Sequence, residues 1–422
     1  MADKDVKTQS QGTEEYIGVP VPLDKRQKWT QPALVWLGFC FNFANIVIGG
    51  QIEKMVGMPN AIFAILLGNL GLFIYAGIIA VISARTGFSF PMQVKAAFGK
   101  KGAIIPVAIL SLFVSWCFAY NSWILTDVFR SVFGGSEIIW ALVIVNLCWI
   151  GTLRYKNMVT LGKAVVPVIV FLILYFLFGI IIPSGSNALH SVPVNANPFM
   201  AAFTISLGTF TISGTMTGDI VRYCKKGKDA LLVMLVAFFI GNSFCLILGA
   251  LASAAAPAID DYFGMTVVFG GIPLIVCTLI AQASTAASCL YNAVSGVCNL
   301  SSKISWTKAV ITIGVACSIL AATGIISNLA GFFGAVGIVV PPIGGILIAD
   351  YFFARGGKDY EVNAPTGINY IALVVVVVSV VLSYISSKMF PIFPNQLTGI
   401  ISSVVLYGIV GKTALKNLSE QK

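Results

Sequence analysis

Apolar runs separated by short polar stretches dominate the chain from residue 32 onward. The runs carry almost no charge, and their length is close to the roughly 20 residues that a helix needs to cross a bilayer. About twelve such segments follow one another, at 32–53, 60–84, 103–126, 138–153, 159–183, 200–221, 230–256, 264–298, 306–323, 329–353, 366–387 and 392–411. Long apolar runs are typical of helices, because backbone groups in hydrocarbon must be paired internally. The pattern predicts an all-α polytopic membrane protein with about 12 transmembrane helices.

The segment at 208–218 departs from this pattern, since it reads GTFTISGTMTG. Hydroxyl side chains occupy every second position, at Thr209, Thr211, Ser213, Thr215 and Thr217. Alternation predicts a strand in a soluble protein, but a lone strand in a membrane would leave its backbone unpaired. A helix that breaks to line a cavity accommodates the same residues, and matching breaks in two halves are typical of a transporter's binding site. We therefore expect a second broken helix in the first half.

The first segment supplies that partner with GFCFNFANIVIGG at 38–50. Its apolar run is interrupted by Asn42, Asn45 and the pair Gly49–Gly50. Gly38 and Gly208 each lie in the first helix of a possible five-helix half, and because five is odd the second half would insert inverted. The alternative is two ordinary helices whose small residues pack against neighbours.

The eighth segment carries a third polar cluster, LIAQASTAASCLYN at 279–292. Its Ser284 and Thr285 hydroxyls could face the carbonyls freed where the first helix breaks. Neutral oxygen ligands suit a monovalent cation such as sodium, and the sixteen acidic residues all fall in tails, loops or segment ends, which disfavours a proton relay. The alternative is that both hydroxyls bond to their own or a neighbouring helix.

Two further groups are candidates for function. Asp219 and Arg222 are three residues apart and can pair on a helix, either as a gate or as a structural ion pair. Trp116 and Tyr120 lie one turn apart, and Phe210 lies in the broken sixth segment, so their rings could hold a flat solute. Lipid contact or core packing is the alternative for each ring.

Composition excludes several other classes of protein. The net charge is +10, but all the lysines and arginines except Lys54, Arg130 and Lys388 fall on one side, which predicts cytoplasmic N- and C-termini rather than nucleic-acid binding. The first thirty residues lack the apolar core of a signal peptide. The nine cysteines show no metal-binding spacing, and no catalytic motif occurs. We expect neither an enzyme nor a cofactor apart from a coupling ion.

Several motifs resemble those of the nucleobase:cation symporters, the family of cytosine permeases and hydantoin transporters. They are VWLGFCFNFANIVIGG at 35–50, SGTMTGDIVRY at 213–223 and PPIGGILIADYF at 341–352. The resemblance implies the leucine-transporter fold, in which helices 1 and 6 are broken. A cytoplasmic tail at 1–30 would precede the first five-helix repeat at 31–183. An external loop at 184–199 would connect it to the second, inverted repeat at 200–353. Two more helices at 354–411 and a cytoplasmic tail at 412–422 would follow.

The resemblance also implies sites. Sodium would be held by carbonyls of Gly38, Phe41 and Ala281 and by the hydroxyls of Ser284 and Thr285. Cargo would stack on Trp116 and Phe210, with Thr209, Thr211 and Ser213 nearby. The chain departs from the cytosine permeases at Phe113, where they have a glutamine, and at 286–288, where AAS replaces an Asn-Asp-Asn run. Asn42, Asn45, Tyr120 and Gln282 could rebuild the polar edge of the pocket.

The resulting prediction is a cell-membrane transporter, monomeric within its lipid bilayer, that couples sodium entry to uptake of a nucleobase or related flat heterocycle by alternating access. Candidate cargoes are a cytosine-like pyrimidine, a purine or a hydroxymethylpyrimidine-type precursor. The alternatives are a symporter of the same fold for an amino acid or other small solute, and a transport-dead membrane sensor. Competition between amino acids and nucleobases would separate the first two.

Overall fold

A computed structural model describes residues 16–185, 189–193, 199–255, 271–301, 303–323, 329–389 and 393–420. The described chain is helical, and we call its twelve consecutive membrane segments spans 1 to 12. Spans 1 to 6 are Thr30–Cys40 with Phe43–Val56, Asn60–Thr86, Ile104–Phe133, Glu137–Cys148, Tyr155–Phe176, and Phe199–Gly208 with Thr211–Thr215 and Gly218–Val221. Spans 7 to 12 are Gly227–Met234 with Ser243–Ala255, Gly271–Leu300, Trp306–Ala322, Leu329–Ala349, Tyr370–Met389 and Asn395–Ser419.

The spans follow the predicted segments closely. Within the described residues, seven helices are long and apolar enough by themselves to cross a membrane, and the bent pair in span 1 makes an eighth. The other four spans are short, broken or rich in polar residues. Spans 1 and 6 pack against spans 2 and 7, while spans 3 and 8 pack against each other. The tail at 1–15, parts of the loop at 184–199 and the start of the eighth segment lie outside the described residues.

Span 1 is interrupted at residues 41–42, next to its asparagines. The first helix ends at Cys40, Phe41 leaves helical geometry with φ −86° and ψ 89°, and the second half is bent from the first by 58°. Asn42 is extended, and its side-chain oxygen accepts a hydrogen bond from the Asn45 backbone N–H. Asparagine is a favoured N-cap because it satisfies one of the free N–H groups at a helix start. The break predicted in this segment is confirmed.

The hydroxyl-rich stretch of span 6 is a helix with two interruptions rather than a strand. One falls at Thr209–Phe210 and the other at Met216–Thr217, with the short helix Thr211–Thr215 between them. The predicted break is therefore present, but it is confined to a few residues on either side of one helical turn.

The pair Gly49–Gly50 lies inside the second half of span 1 and takes no part in its break. A Cβ atom at Gly49 would overlap the Leu246 carbonyl of span 7, and one at Gly249 would overlap the Ile46 carbonyl. Mutual close approach of this kind is how small residues pack membrane helices. For this pair the alternative of ordinary packing is the correct one.

The described part of the N-terminal tail, residues 16–29, packs on the ends of spans 2 and 6. The Arg26 guanidinium donates to the carbonyls of Val21 and Ala84, and the Gln27 N–H donates to the Tyr223 carbonyl over 2.7 Å. We call the end of the helix bundle that residues 16–29 cover the N-terminal face. These residues belong to the segment predicted as a cytoplasmic tail.

Candidate ion and cargo site

Carbonyl oxygens from two spans converge on one hydroxyl. The Thr285 Oγ1 lies 3.1 Å from the Phe39 carbonyl, 3.4 Å from that of Gly38 and 3.3 Å from that of Ala281. The first two belong to the last turn before the break, where carbonyls lose their helical partners. One hydroxyl hydrogen can satisfy only one of the three oxygens at a time, and the Phe39 carbonyl also accepts from the Asn42 amide over 3.2 Å.

Ser284 completes this group of oxygens. Its side chain is buried, and its Oγ has no hydrogen-bond partner among the described residues. A Cβ atom built on Gly38 would lie only 2.6 Å from that Oγ, so the approach of span 1 to span 8 requires glycine. Phe41 packs beside Ala281 in one apolar cluster. The structure thus brings together Gly38, Ala281, Ser284 and Thr285, and adds the Phe39 carbonyl, which the sequence did not single out.

The donor set fits a small monovalent cation. All of the groups are neutral oxygens from the main chain or from hydroxyls, and the residues that the structure describes contain no cluster of three His, Cys, Asp or Glu that could hold another metal. Hard oxygen ligands favour alkali and alkaline-earth ions over softer transition metals.

An aromatic cluster forms where span 3 meets span 10. Trp116 stacks on Tyr120 with ring centroids 5.5 Å apart and on Phe332 with centroids 3.7 Å apart, and the planes are inclined by 10° and 15°. Phe113 meets the edge of the Phe332 ring at 5.7 Å. The sequence predicted Trp116 and Tyr120 but missed Phe332, because a phenylalanine in an apolar run carries no distinguishing signal.

Phe210 packs elsewhere. Its ring contacts Phe39 at 5.3 Å and Phe238 at 5.7 Å, and no ring contact with Trp116 occurs within the described residues. The two rings predicted to sandwich cargo therefore do not face each other here. Phe210 instead packs its ring between span 1 and span 7.

Most hydroxyls of the span 6 stretch bond to carbonyls of their own helix. Thr209 donates to the Ser206 carbonyl over 2.8 Å, and Thr211 donates to that of Leu207 over 2.9 Å. Ser213 differs from them, because its buried hydroxyl has no hydrogen-bond partner in the part of the chain that the structure describes. Of these three predicted cargo contacts, Ser213 has the group left over for a solute.

The amides predicted for the pocket are engaged with protein groups. Asn42 caps the second half of span 1 and donates to the Phe39 carbonyl over 3.2 Å. Asn45 donates to the Cys40 carbonyl over 2.9 Å. Gln282 donates to the Asn121 side-chain oxygen over 3.0 Å, which ties span 8 to span 3. Asn42 and Asn45 therefore form hydrogen bonds with backbone groups at the break in span 1. Gln282 lies against span 3, the helix that carries Trp116.

Asp219 and Arg222 share no direct hydrogen bond among the described residues, and their predicted pairing stays a prediction. Asp219 Oδ1 accepts from the Phe90 N–H over 3.1 Å and from the Ser295 hydroxyl over 3.0 Å, and its Oδ2 accepts none. Arg222 donates to the Tyr16 carbonyl over 3.2 Å. Both side chains are buried at the N-terminal face and join span 6 to other elements.

Comparison with known proteins agrees with this architecture. Residues 20–405 match the model of a family described as permeases for cytosine/purines, uracil, thiamine and allantoin. The cytosine permease of Escherichia coli K12 is 29% identical over 404 residues, covering 93% of this chain and 94% of the relative. The hydantoin permease of Microbacterium maritypicum is 21% identical over 418 residues, covering 89% and 84%. These relatives are permeases and not enzymes.

Solved structures share the fold. Mhp1, a nucleobase-cation-symport-1 family transporter in a closed conformation with bromovinylhydantoin bound, superposes with a TM-score of 0.83 at 19% identity over 96% of this chain and 95% of that one. A Na⁺-coupled sialic acid symporter in a substrate-bound outward-open state gives 0.68 at 14% identity over 96% and 93%. The predicted leucine-transporter-like arrangement, with spans 1 and 6 broken, is confirmed.

Proposed function

This chain belongs to the family of permeases for cytosine/purines, uracil, thiamine and allantoin, and from that membership we propose that it takes up a nucleobase or related flat heterocycle together with sodium. The observation that carries the proposal is the convergence of the Gly38, Phe39 and Ala281 carbonyls on the Thr285 hydroxyl beside a broken helix. Neutral oxygens from two helices that meet at one point form a ligand set that suits a cation. The cytosine and hydantoin permeases among the relatives support the class of cargo.

Sodium would bridge spans 1 and 8. The carbonyls of Gly38, Phe41 and Ala281 and the hydroxyls of Ser284 and Thr285 would hold it, with the Phe39 carbonyl close by. These ligands come from two different helices, so the ion would favour the conformations in which the helices are close. Differential affinity of this kind is what allows an ion to bias a conformational equilibrium.

Cargo would stack on Trp116. Phe332 covers one face of that ring now, so a flat heterocycle would have to displace Phe332 together with the start of span 10. The polar edge of the cargo would then meet the free hydroxyl of Ser213 and the hydroxyl of Tyr120. Rings with amide or imide edges suit this combination of an aromatic face and few polar groups.

The N-terminal face would lie in the cytoplasm, as the distribution of lysine and arginine predicts. Asp219 and Arg222 would then form the cytoplasmic gate, because they bind span 6 to span 8, to the helix Phe90–Phe98 and to residues 16–29. Opening toward the cytoplasm would require these buried polar contacts to separate.

Thermal stabilisation of the purified protein in detergent tests the proposal. The panel comprises cytosine, uracil, hypoxanthine, a hydroxymethylpyrimidine, hydantoin and several amino acids, each in sodium chloride and in choline chloride. A ligand that binds only the folded protein raises the melting temperature by mass action. We expect one heterocycle to give a shift that grows in sodium. Shifts with amino acids alone, or equal shifts in both salts, would contradict the cargo class or the coupling ion respectively.

A further inference from the structure

Three buried asparagines join the four helices around the two breaks. Asn242 of span 7 accepts a hydrogen bond from Asn45 of span 1 over 2.8 Å. Its own amide nitrogen donates to Asn69 of span 2 over 2.6 Å and to the Thr209 hydroxyl of span 6 over 3.0 Å. Asn69 in turn donates to the Ser206 hydroxyl over 3.3 Å. Asn242 is therefore the junction of a continuous polar path through an apolar interior.

Each end of this path reaches a break. At one end Asn45 donates to the Cys40 carbonyl, the last residue of the helix that carries the Gly38 and Phe39 carbonyls. At the other end Thr209 is the residue immediately before Phe210, where span 6 is interrupted. The path thus starts at the break of span 1, next to the candidate ion site, and ends at the first interruption of span 6.

The placement of Asn242 follows from a local irregularity of span 7. Residues Leu235–Asn242 form a π-helical segment, in which the backbone is widened and side chains are shifted from their α-helical directions. Asn242 is 0% exposed, and so is Asn69. An amide that loses its hydrogen-bond partner at such depth is left as a costly unsatisfied group, so displacement of either break without the other is unfavourable.

We propose that Asn242 is a positioning residue that couples the two breaks, so that an ion bound at span 1 orders the cargo-binding stretch of span 6. Ion occupancy fixes the carbonyls at the end of the first helix, Asn45 transmits their position to Asn242, and Asn242 fixes Thr209. This inference rests on the proposed function, since it requires an ion at the span 1 site.

Hydrogen–deuterium exchange of the full-length protein in detergent tests it with sodium alone as the probe. Exchange is compared in sodium chloride and in choline chloride for peptides covering 38–45 and 208–213. In the wild type we expect sodium to slow exchange in both, by about 2–30-fold at 208–213, the range given by coupling free energies of 0.5–2 kcal/mol. In Asn242→Leu the protection of 38–45 should remain, while that of 208–213 should fall below about 2-fold.

Asn292→Leu is the matched control. Asn292 is also fully buried, lies in span 8 and has both side-chain polar atoms without a hydrogen-bond partner among the described residues, so its replacement makes the same chemical change off the path. It should keep the wild-type protection of both peptides. If Asn242→Leu fails to fold, Thr209→Val breaks the same link from the other side and should give the same pattern.

The outcomes separate the two proposals. If sodium protects neither peptide in the wild type, the ion site fails and the proposed function fails with it. If sodium protects 38–45 but not 208–213 in the wild type, the ion site stands and the coupling through Asn242 is overturned. Protection of both peptides in Asn242→Leu would overturn it as well.

Discussion

Ser284 and Thr285 are adjacent, yet their structural surroundings predict different effects of removing each hydroxyl. The Thr285 hydroxyl bonds to main-chain carbonyls, the shortest contact being 3.1 Å to Phe39. Thr285→Val removes this hydrogen bond, and the loss costs about 0.5–1.5 kcal/mol. Ser284 has no such partner, so Ser284→Ala should change the stability of the sodium-free protein by less than about 0.5 kcal/mol.

In sodium both variants should lose stabilisation by the ion, because each has lost one oxygen ligand. Ser284→Ala should therefore differ from the wild type only when sodium is present. An interaction with a charged group contributes about 1.5–3 kcal/mol, which corresponds to a loss of about 10–150-fold in sodium affinity. In sodium at 100 times its Kd, the wild type gains about 2.7 kcal/mol of stability. A Kd that is about 30-fold weaker reduces this gain to about 0.9 kcal/mol by the same relation.

The assay is the melting temperature in detergent while sodium replaces choline at constant ionic strength. Ser288→Ala, one turn along span 8 and equally buried, is the control and should titrate like the wild type. Ser284→Ala should melt like the wild type in choline and fall behind it in sodium. Full sodium stabilisation of Ser284→Ala would refute the assignment of that hydroxyl as a ligand.

Three further predictions concern the cargo face, the gate and the helix packing. Phe332→Ala should raise heterocycle affinity in calorimetric titration about 2–10-fold, because it removes a stacking interaction on the Trp116 ring of about 0.5–1.5 kcal/mol. Weaker binding would show instead that Phe332 is part of the pocket. Asp219→Asn keeps the shape but removes the charge, and should increase the population open at the N-terminal face, measured by spin-label distances; an unchanged distribution would exclude a gate there. Gly249→Ala should lower stability by about 1–3 kcal/mol through overpacking, read as melting temperature, whereas Gly179→Ala, which meets nothing within 4 Å, should not.

The positions of the spans and of both breaks could be predicted from the sequence, because hydropathy and helix-breaking residues act locally. The residues proposed for the ion site could be selected for the same reason: Gly38 and the Ser284–Thr285 pair are unusual residues within apolar helices. Phe332 and Asn242 were not predictable. Their roles depend on which helix faces them, and a phenylalanine or a single asparagine in an apolar run is compatible with many partners.

Asp219 shows how contacts with other helices add to what local spacing predicts. Two opposite charges three residues apart can pair on a helix surface, but such pairs contribute only a few tenths of a kcal/mol. Burial changes the balance, since a carboxylate removed from water needs strong donors, and the Phe90 N–H and the Ser295 hydroxyl supply them from two other elements. Each of these bonds crosses from span 6 to a different part of the protein. A carboxylate bound in this way resists separation of those parts, which an ion pair confined to span 6 would not do.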